Sequence, residues 1–412
     1  MHQVFEVAIY VFSFIAVFVQ IFFLITFFEG RKSIRRIFAE ILEYPSITVM
    51  VPCYNEESTI AGTVESILAL DYPKDKIFIK LIDDGSSDGT FSAMHKFSSV
   101  PNLEIIKKEN GGKHTALNLG IENSSSDFVA CLDADSSVHP QALKRMIPYF
   151  SDPKVMAVSP SIIVREPDNI IRKAQKAEYD LSVYVKKMLG LIGGIHVTPG
   201  PFSVYRREVF EKIGMYRKAH NTEDMEIAYR MQTNGLKIEQ CHDAFAYTSA
   251  PSSVWKLYKQ RLRWIYGFIN NTIDYRDVLF RKKYGHFALF TLPAGVLDIF
   301  AVLVLFGNFF YVIGNFIYQK AEAASVVGVN NLVSVPSHFS LFYIGSKALL
   351  FIMCIIYALV IFSILMGRKM SEGKARFSPS IIYYIFIYSL IAPFWLVKAV
   401  VNTAISKQPA WK

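Results

Sequence analysis

Four apolar stretches, residues 3–28, 287–318, 341–366 and 381–405, constrain this chain more than anything else in it. Together they hold 109 of the 412 residues, and their only charges are Glu6, Asp298, Lys347 and Lys398. About 20 apolar residues cross the hydrocarbon core of a bilayer as a helix, so each stretch is long enough to span with some tilt. The other 303 residues carry 75 of the 79 charged groups, about a quarter, as in an ordinary soluble protein. The chain is therefore expected to be a multi-pass membrane protein carrying one soluble domain, with one span before it and about three after it. Disorder, a collagen-like fibre, a disulfide scaffold and a purely soluble enzyme are excluded.

The formal net charge of +9 raises the question of nucleic acid, but the cations are placed as membrane flanks. Arg31, Lys32, Arg35 and Arg36 follow the first stretch, and Arg276, Arg281, Lys282 and Lys283 precede the second. Lys369, Lys374 and Arg376 lie between the third and fourth. Basic loops mark the cytoplasmic side, so the soluble domain is expected in the cytoplasm, anchored in the cell (plasma) membrane, with no nucleic-acid partner. The segment 319–340 holds only Lys320 and Glu322, as an external loop should. The N-terminal run lacks the basic lead and small-residue cleavage site of a signal peptide and is expected to remain as an anchor. Cys53, Cys131, Cys241 and Cys354 are far apart with no CxxC spacing and are expected to be free, buried thiols.

The pattern predicts a membrane helix at 1–29, a soluble domain at 30–250, interfacial amphipathic helices at 251–285 and a membrane region at 286–412. From 46 to 135, β-rich runs (47–52, 77–83, 103–107, 128–133) alternate with helical stretches (57–70, 89–98, 114–124, 140–150). That alternation predicts an α/β domain with a mainly parallel central sheet, where ligands bind beyond the carboxyl ends of the strands. Further on, helices are expected at 170–188 and 224–234 and a strand at 202–206. Segment 253–275 mixes Trp255, Tyr258, Trp264 and Phe268 with Lys256, Lys259, Arg261 and Arg263, which suits a helix lying at the membrane interface.

Each early strand ends in polar chemistry. Asp133 and Asp135 stand two apart at a strand end, so both carboxylates can face one side and share a hard cation such as Mg²⁺ or Mn²⁺; a solvated loop or helix cap before Pro140 is the plain alternative. His139 is a further candidate ligand. Asp83-Asp-Gly-Ser-Ser-Asp88-Gly-Thr follows another strand and combines turn and cap chemistry with acidic groups. Lys113 follows two glycines, though not in a Walker A spacing; it is either a surface turn lysine or an anion contact. Thr222-Glu-Asp224 reads either as an N-cap with acidic first-turn residues or as a general base held at a helix start. Gln260, Arg263 and Trp264, at i, i+3 and i+4, share one side of a helix, where Arg suits a phosphate and the indole face suits a sugar. They suit an interfacial anchor equally.

Taken together and in order, Val51-Pro-Cys-Tyr-Asn-Glu56, Asp83 to Thr90, Gly111-Gly-Lys113 with Ala116-Leu-Asn118, Asp133-Ala-Asp135, Thr222-Glu-Asp224 and Gln260-Arg-Leu-Arg-Trp264 resemble the family 2 glycosyltransferases. Within that family they are similar to the membrane-embedded processive polysaccharide synthases that make cellulose, chitin, hyaluronan or poly-N-acetylglucosamine. The resemblance covers about 50–265. It implies a GT-A nucleotide-sugar-binding domain and an inverting transfer from a nucleotide-sugar, such as a UDP-sugar, to a growing β-linked polymer. By that resemblance Tyr54, Glu56, Asp84 and Lys113 cradle the nucleotide, and Asp133 and Asp135 hold a divalent metal at the diphosphate. Asp224 is the base; Gln260 and Arg263 bind the diphosphate, and Trp264 and Glu223 the acceptor's terminal sugar.

The chain departs from the bacterial cellulose synthases in lacking an FxVTxK-like gating segment and an appended cyclic-dinucleotide-binding domain. Four spans are few for a synthase that exports its own polymer, so a small accessory subunit or a homo-oligomer is a candidate partner beside membrane lipids. Transfer of a single sugar to a lipid-linked or short glycan acceptor is the alternative within the chemistry. A non-catalytic scaffold or transporter that binds nucleotide-sugar, with Lys347 in mid-span either functional or paired to Asp298, is the alternative outside it.

Overall fold

The computed structural model describes residues 2–34, 43–327 and 347–409. One eight-stranded sheet forms the centre of the soluble domain: β1 (Ile47–Cys53), β2 (Ile77–Asp83), β3 (Leu103–Lys107), β4 (Phe128–Cys131), β5 (Ser136–Val138), β6 (Val155–Val164), β7 (Ser203–Arg206) and β8 (Lys237–Thr248), in the spatial order β3-β2-β1-β4-β7-β6-β8-β5. The first half is parallel and carries the βαβ units expected from the alternation; β7 runs antiparallel to both β4 and β6. Cys53 lies opposite Asp83, and Asp83 opposite Lys107. The polar segments that follow these strands therefore leave the sheet at one level, which is what gathers them into a site.

The second half of the sheet holds the main departures. β6 and β8, paired in parallel, and short β5 beside β8 stand where the pattern predicted no strand. Residues 128–131 form the strand predicted to reach 133, so Asp133 and Asp135 sit in the turn beyond it. Cys53, Cys131 and Cys241 are buried as expected, whereas Cys354 is exposed.

Among the described residues, four helices are long and apolar enough to cross a membrane: Phe5–Glu29, Phe287–Glu322, Ala348–Glu372 and Pro379–Ala404. The second continues to Val327, so the first part of the predicted 319–340 loop is helical and 328–340 lies outside the described residues, as do Arg35 and Arg36. Lys347 opens the third helix instead of standing in mid-span. Its side chain lies outside the described residues, and with it the suggested pairing to Asp298.

These helices pack into the domain through the helix Ile170–Leu191, which touches β6 and β8 on one side and the third and fourth membrane helices on the other. Asn169 caps it by accepting a hydrogen bond from the Arg172 amide. At its centre Asp180 accepts two bonds from Arg368, at 2.9 and 2.7 Å, and both residues are buried. A Cβ at Gly367 would stand 1.7 Å from the Asp180 carbonyl oxygen, so only glycine permits this crossing. Phe23 of the first membrane helix joins the same apolar core as Met50, Val129 and Tyr184, and its carbonyl accepts from the Tyr184 hydroxyl. Removing one partner of a buried ion pair strands the other's charge, at a cost of about 3–5 kcal/mol. Arg368→Leu is therefore expected to lower the melting temperature of the purified chain, and Asp180→Leu combined with it to recover most of the loss.

Candidate active site

The turns after β1 and β2 are laced together by their own polar groups. Asn55, at φ 56°, accepts from the Ser87 amide at 2.9 Å, and its own amide donates to Ser86 Oγ. The Glu56 amide donates to Thr90 Oγ1 at 2.7 Å, and the Glu56 carboxylate accepts from the Thr59 hydroxyl. Tyr54 is left 41% exposed at the strand end. Asp84, expected at the nucleotide, also organises the next turn. Its carboxylate is buried and accepts from the amides of Gly111 and Gly112 at 3.0 and 2.8 Å, and from Lys108 Nζ at 2.5 Å. It fixes the glycine turn that opens the helix Lys113–Glu122.

That turn delivers Lys113 into an acidic cluster. Lys113 Nζ lies 2.7 Å from Asp133 Oδ1 and 3.1 Å from Glu223 Oε1. Burial alone would push its ammonium down, but Asp133 and Glu223 hold it well above its usual value. The same lysine keeps buried Glu223 below the usual carboxylate range against the burial that opposes it. Asp224 goes the other way: burial and then Glu223 raise its carboxyl to about 6, with Lys113 resisting. Neighbouring carboxyl groups pushed apart in this way are the mark of an acid–base site.

Asp135 is likewise raised to about 6, by burial and then by Asp133 and Glu56. A divalent cation would relieve that crowding. No group of three or more His, Cys, Asp or Glu side chains arranged for a metal occurs among the described residues, so the chain itself offers two carboxylates. A hard cation completed by phosphate oxygens and water fits such a set. His139 is not part of it: its Nδ1 accepts from the Gln141 amide and its ring packs against Phe245.

The segment Thr198-Pro-Gly200 closes the cluster. A Cβ on Gly200 would lie 2.6 and 2.7 Å from the two Asp133 carboxylate oxygens and 2.7 Å from Lys113 Nζ. Nothing in the residue pattern marked this glycine beyond the Gly/Pro richness of its segment. Gly200→Ala must displace the ion pair, and shifts of this size at a reacting centre cost about 10²-fold. A loss of that order in kcat/KM with an unchanged melting temperature is the expected result.

Helix Glu223–Thr233 presents Glu223 and Asp224 in its first turn. Thr222 does not cap it with its side chain; the hydroxyl donates to the Ala219 carbonyl and accepts from Asn271 Nδ2 at 2.9 Å. Asn271 belongs to the helix Val254–Asp274, whose Gly267 sits so close that a Cβ there would meet Thr222 Cγ2 at 2.4 Å. The interfacial helix thus grips the residue before the acidic pair. It also carries Arg263, which burial shifts down while Glu223, Asp224, Asp133 and Asp135 pull it up, so its charge faces the whole cluster.

Gln260 and Trp264 are engaged by Arg261, which the residue pattern marks only as a basic residue of the interfacial helix. Arg261 donates to Gln260 Oε1 at 2.5 Å, pairs with Glu178 and lies 4.1 Å from the Trp264 ring centroid. A missed residue is Lys186, whose ammonium burial lowers to about 8 against the pull of Asp224. Beside it His196 is held neutral, at about 4, by burial and then by Lys186.

Residues 45–267 match the family model described as glycosyltransferase like family 2. The chain belongs to glycosyltransferase family 2. It is 33% identical over 272 residues to the poly-β-1,6-N-acetyl-D-glucosamine synthase of Staphylococcus aureus (strain COL), a match covering 64% of this chain and 65% of that one. The synthase of the same description from Staphylococcus epidermidis is 31% identical over 247 residues, covering 58% and 60%. The chain thus spans a little under two thirds of the length of these curated relatives. A mannosyltransferase from Pyrobaculum calidifontis, solved with GDP-Man and Mn²⁺, superposes with a TM-score of 0.64 over 99% of this family 2 chain and 100% of its own, at 18% identity. At that identity the likeness is one of fold. The domain is GT-A-like, with a mostly parallel mixed sheet and four candidate membrane helices.

Proposed function

We propose that the chain is a membrane-bound, inverting glycosyltransferase that moves N-acetylglucosamine from UDP-N-acetylglucosamine onto a growing β-linked polysaccharide. The observation that carries this is the meeting of Lys113, Asp133, Glu223 and Asp224 at the strand ends, with Arg263 brought to them by the interfacial helix. The relatives named above supply the sugar. In this reading the domain lies on the cytoplasmic side, which the basic residues Arg31, Lys32, Arg276, Arg281 to Lys283 and Lys369 near the ends of the apolar helices support. Residues 30–250 form the transferase unit in this reading, and 251–285 its interfacial segment.

Tyr54 and Glu56 border the nucleotide, and Asp84 acts on it through the glycine turn. Lys113 and Arg263 face the diphosphate, whose departure leaves negative charge that fixed cations stabilise before water can. Asp133 and Asp135 would hold Mg²⁺ or Mn²⁺, which supplies charge neutralisation at the leaving group. Asp224 takes the proton from the acceptor hydroxyl, whose oxygen attacks the anomeric carbon opposite the leaving diphosphate and inverts it. Glu223, ionised and held by Lys113, is left to accept a hydrogen bond from the acceptor sugar. Gln260 joins Arg263 at the diphosphate, and Trp264 lines the acceptor side.

A second reading, one sugar added to a lipid-linked or short glycan acceptor, is favoured by Arg261, whose guanidinium occupies one face of the indole that a polymer's end would use. Product length decides between them. The purified full chain, given radiolabelled UDP-N-acetylglucosamine among a panel of nucleotide-sugars, is expected to release UDP from that donor alone and to make chains of many sugars. A single added sugar would establish the second reading, and release from a different donor would overturn the sugar assignment. Polymer made only after a small membrane subunit or a second copy is added would identify that partner.

A further inference from the structure

A cavity of about 540 Å³ lies at the domain-side ends of the first and third membrane helices, against β8 and apart from the Asp133–Asp224 cluster. Its walls are of two kinds. Phe27, Phe28, Phe362 and Met366 make an apolar floor, with Phe27 and Phe362 edge to face at 6.0 Å. Arg31 and Lys369, one from each side, make a cationic rim. The Arg31 guanidinium rests 4.3 Å from the Phe28 ring centroid, and no carboxylate among the described residues pairs with it or with Lys369. His242 also lines the cavity, and its buried Nδ1 has no hydrogen-bond partner among the described residues.

We propose that this cavity holds one anionic phospholipid from the leaflet facing the domain, its phosphate between Arg31 and Lys369 and an acyl chain along Phe27, Phe362 and Met366. Charge complementarity selects this occupant. A zwitterionic lipid would bring its own cation to a rim that already has two without a counter-charge among the described residues. A free inorganic anion would leave the apolar floor facing water. Both cations stand where an apolar helix ends, the depth at which a headgroup phosphate lies. A lipid seated there would bridge the first and third membrane helices beneath the sheet. The proposal is independent of the sugar and of the acceptor, since it uses none of the residues of the transfer site.

Native mass spectrometry of the purified full chain, titrated with phosphatidylglycerol or phosphatidylcholine, tests it. One phosphatidylglycerol is expected to stay bound where phosphatidylcholine does not. Arg31→Gln with Lys369→Gln is expected to weaken that binding roughly thirty-fold, from about five-fold per basic residue at an anionic surface. Arg31→Lys with Lys369→Arg, which keeps both charges, is expected to retain it and guards against a variant that merely misfolds. Three outcomes of that titration would overturn the proposal: equal retention by the charge-removed and unaltered proteins, equal retention of phosphatidylcholine, or displacement of phosphatidylglycerol by millimolar inorganic phosphate. Phosphatidylglycerol brominated on its acyl chain should quench the added emission of a Phe362→Trp reporter, measured against the unaltered chain with its own four tryptophans; an unquenched reporter would place the lipid elsewhere and equally overturn the assignment.

Discussion

Asp224→Asn is expected to lower kcat by about 10³-fold, the middle of the range for a positioned acid–base group, while nucleotide-sugar binding measured by calorimetry stays near its original strength. The amide keeps the size of the side chain and its place in the first turn of the helix Glu223–Thr233, and it loses the ability to take a proton. Unaltered turnover would remove Asp224 from the base role; lost donor binding would make it a residue that shapes the donor site. The same carboxyl sets a pH dependence. Its value near 6 is raised above the ordinary carboxylate, and only the ionised form can act as base. Activity is thus lost as pH falls through about 6, and kcat/KM rises to a plateau above it. Asp135, raised by burial and then by Asp133, would stay ionised with a cation bound, which leaves the limb to Asp224. Residual activity in Asp224→Asn should show a shallower limb.

Lys113→Met is expected to be the other severe change, of a different kind. It removes the cation that faces Asp133 at 2.7 Å and Glu223 at 3.1 Å and strands the buried Glu223 carboxylate. Because Lys113 is a fixed cation facing the charge that develops on the diphosphate, its loss is expected to cost about 10²- to 10³-fold in kcat/KM. Donor affinity should fall with it, which separates this variant from Asp224→Asn. Because Lys113 opposes the upward shift of Asp224, removing it should also move the acid limb to higher pH. Lys113→Arg should rescue poorly, since the backbone at Gly200 closes over the ammonium so tightly that even a methyl group there would be 2.7 Å from it. Full rescue would show that charge alone, and not this seat, is what the position requires.

Much of this arrangement could be read from residue order, and what escaped did so for identifiable reasons. Residues 77–83 and 103–107 are strands over the predicted spans, because compact β-rich runs between turn residues leave few alternatives. β6 was missed because it is apolar on both faces and carries Pro160, which argues against an interior strand; the register of its pairing with β8 shifts at that proline and accommodates it. β8, with Glu239, His242 and Asp243 in its length, shows no clean alternation, and the same irregularity accounts for that. In the site, the acidic pairs and Lys113 announce themselves by side-chain chemistry. The second part of Asp84 escaped because the amides of Gly111 and Gly112 that it holds are invisible in a string of side chains. Gly200 contributes only the absence of a Cβ. Helical spacing groups Gln260, Arg263 and Trp264 on one side, yet it could not foresee that Arg261 would touch both Gln260 and the indole.

The crossing of Gly367 over Asp180 has a meaning for how the protein is born. The helix Ile170–Leu191 completes its burial only against residues that the ribosome adds on the order of 180 positions later, a wait of about ten to thirty-five seconds at ordinary synthesis rates. Through that interval the nascent domain carries Asp180 without Arg368 and an apolar flank without its cover. Its maturation must therefore wait on insertion of the last two spans, so a chain stalled before them has a catalytic cluster but no finished body to hold it, and is the species that cellular quality control would have to recognise.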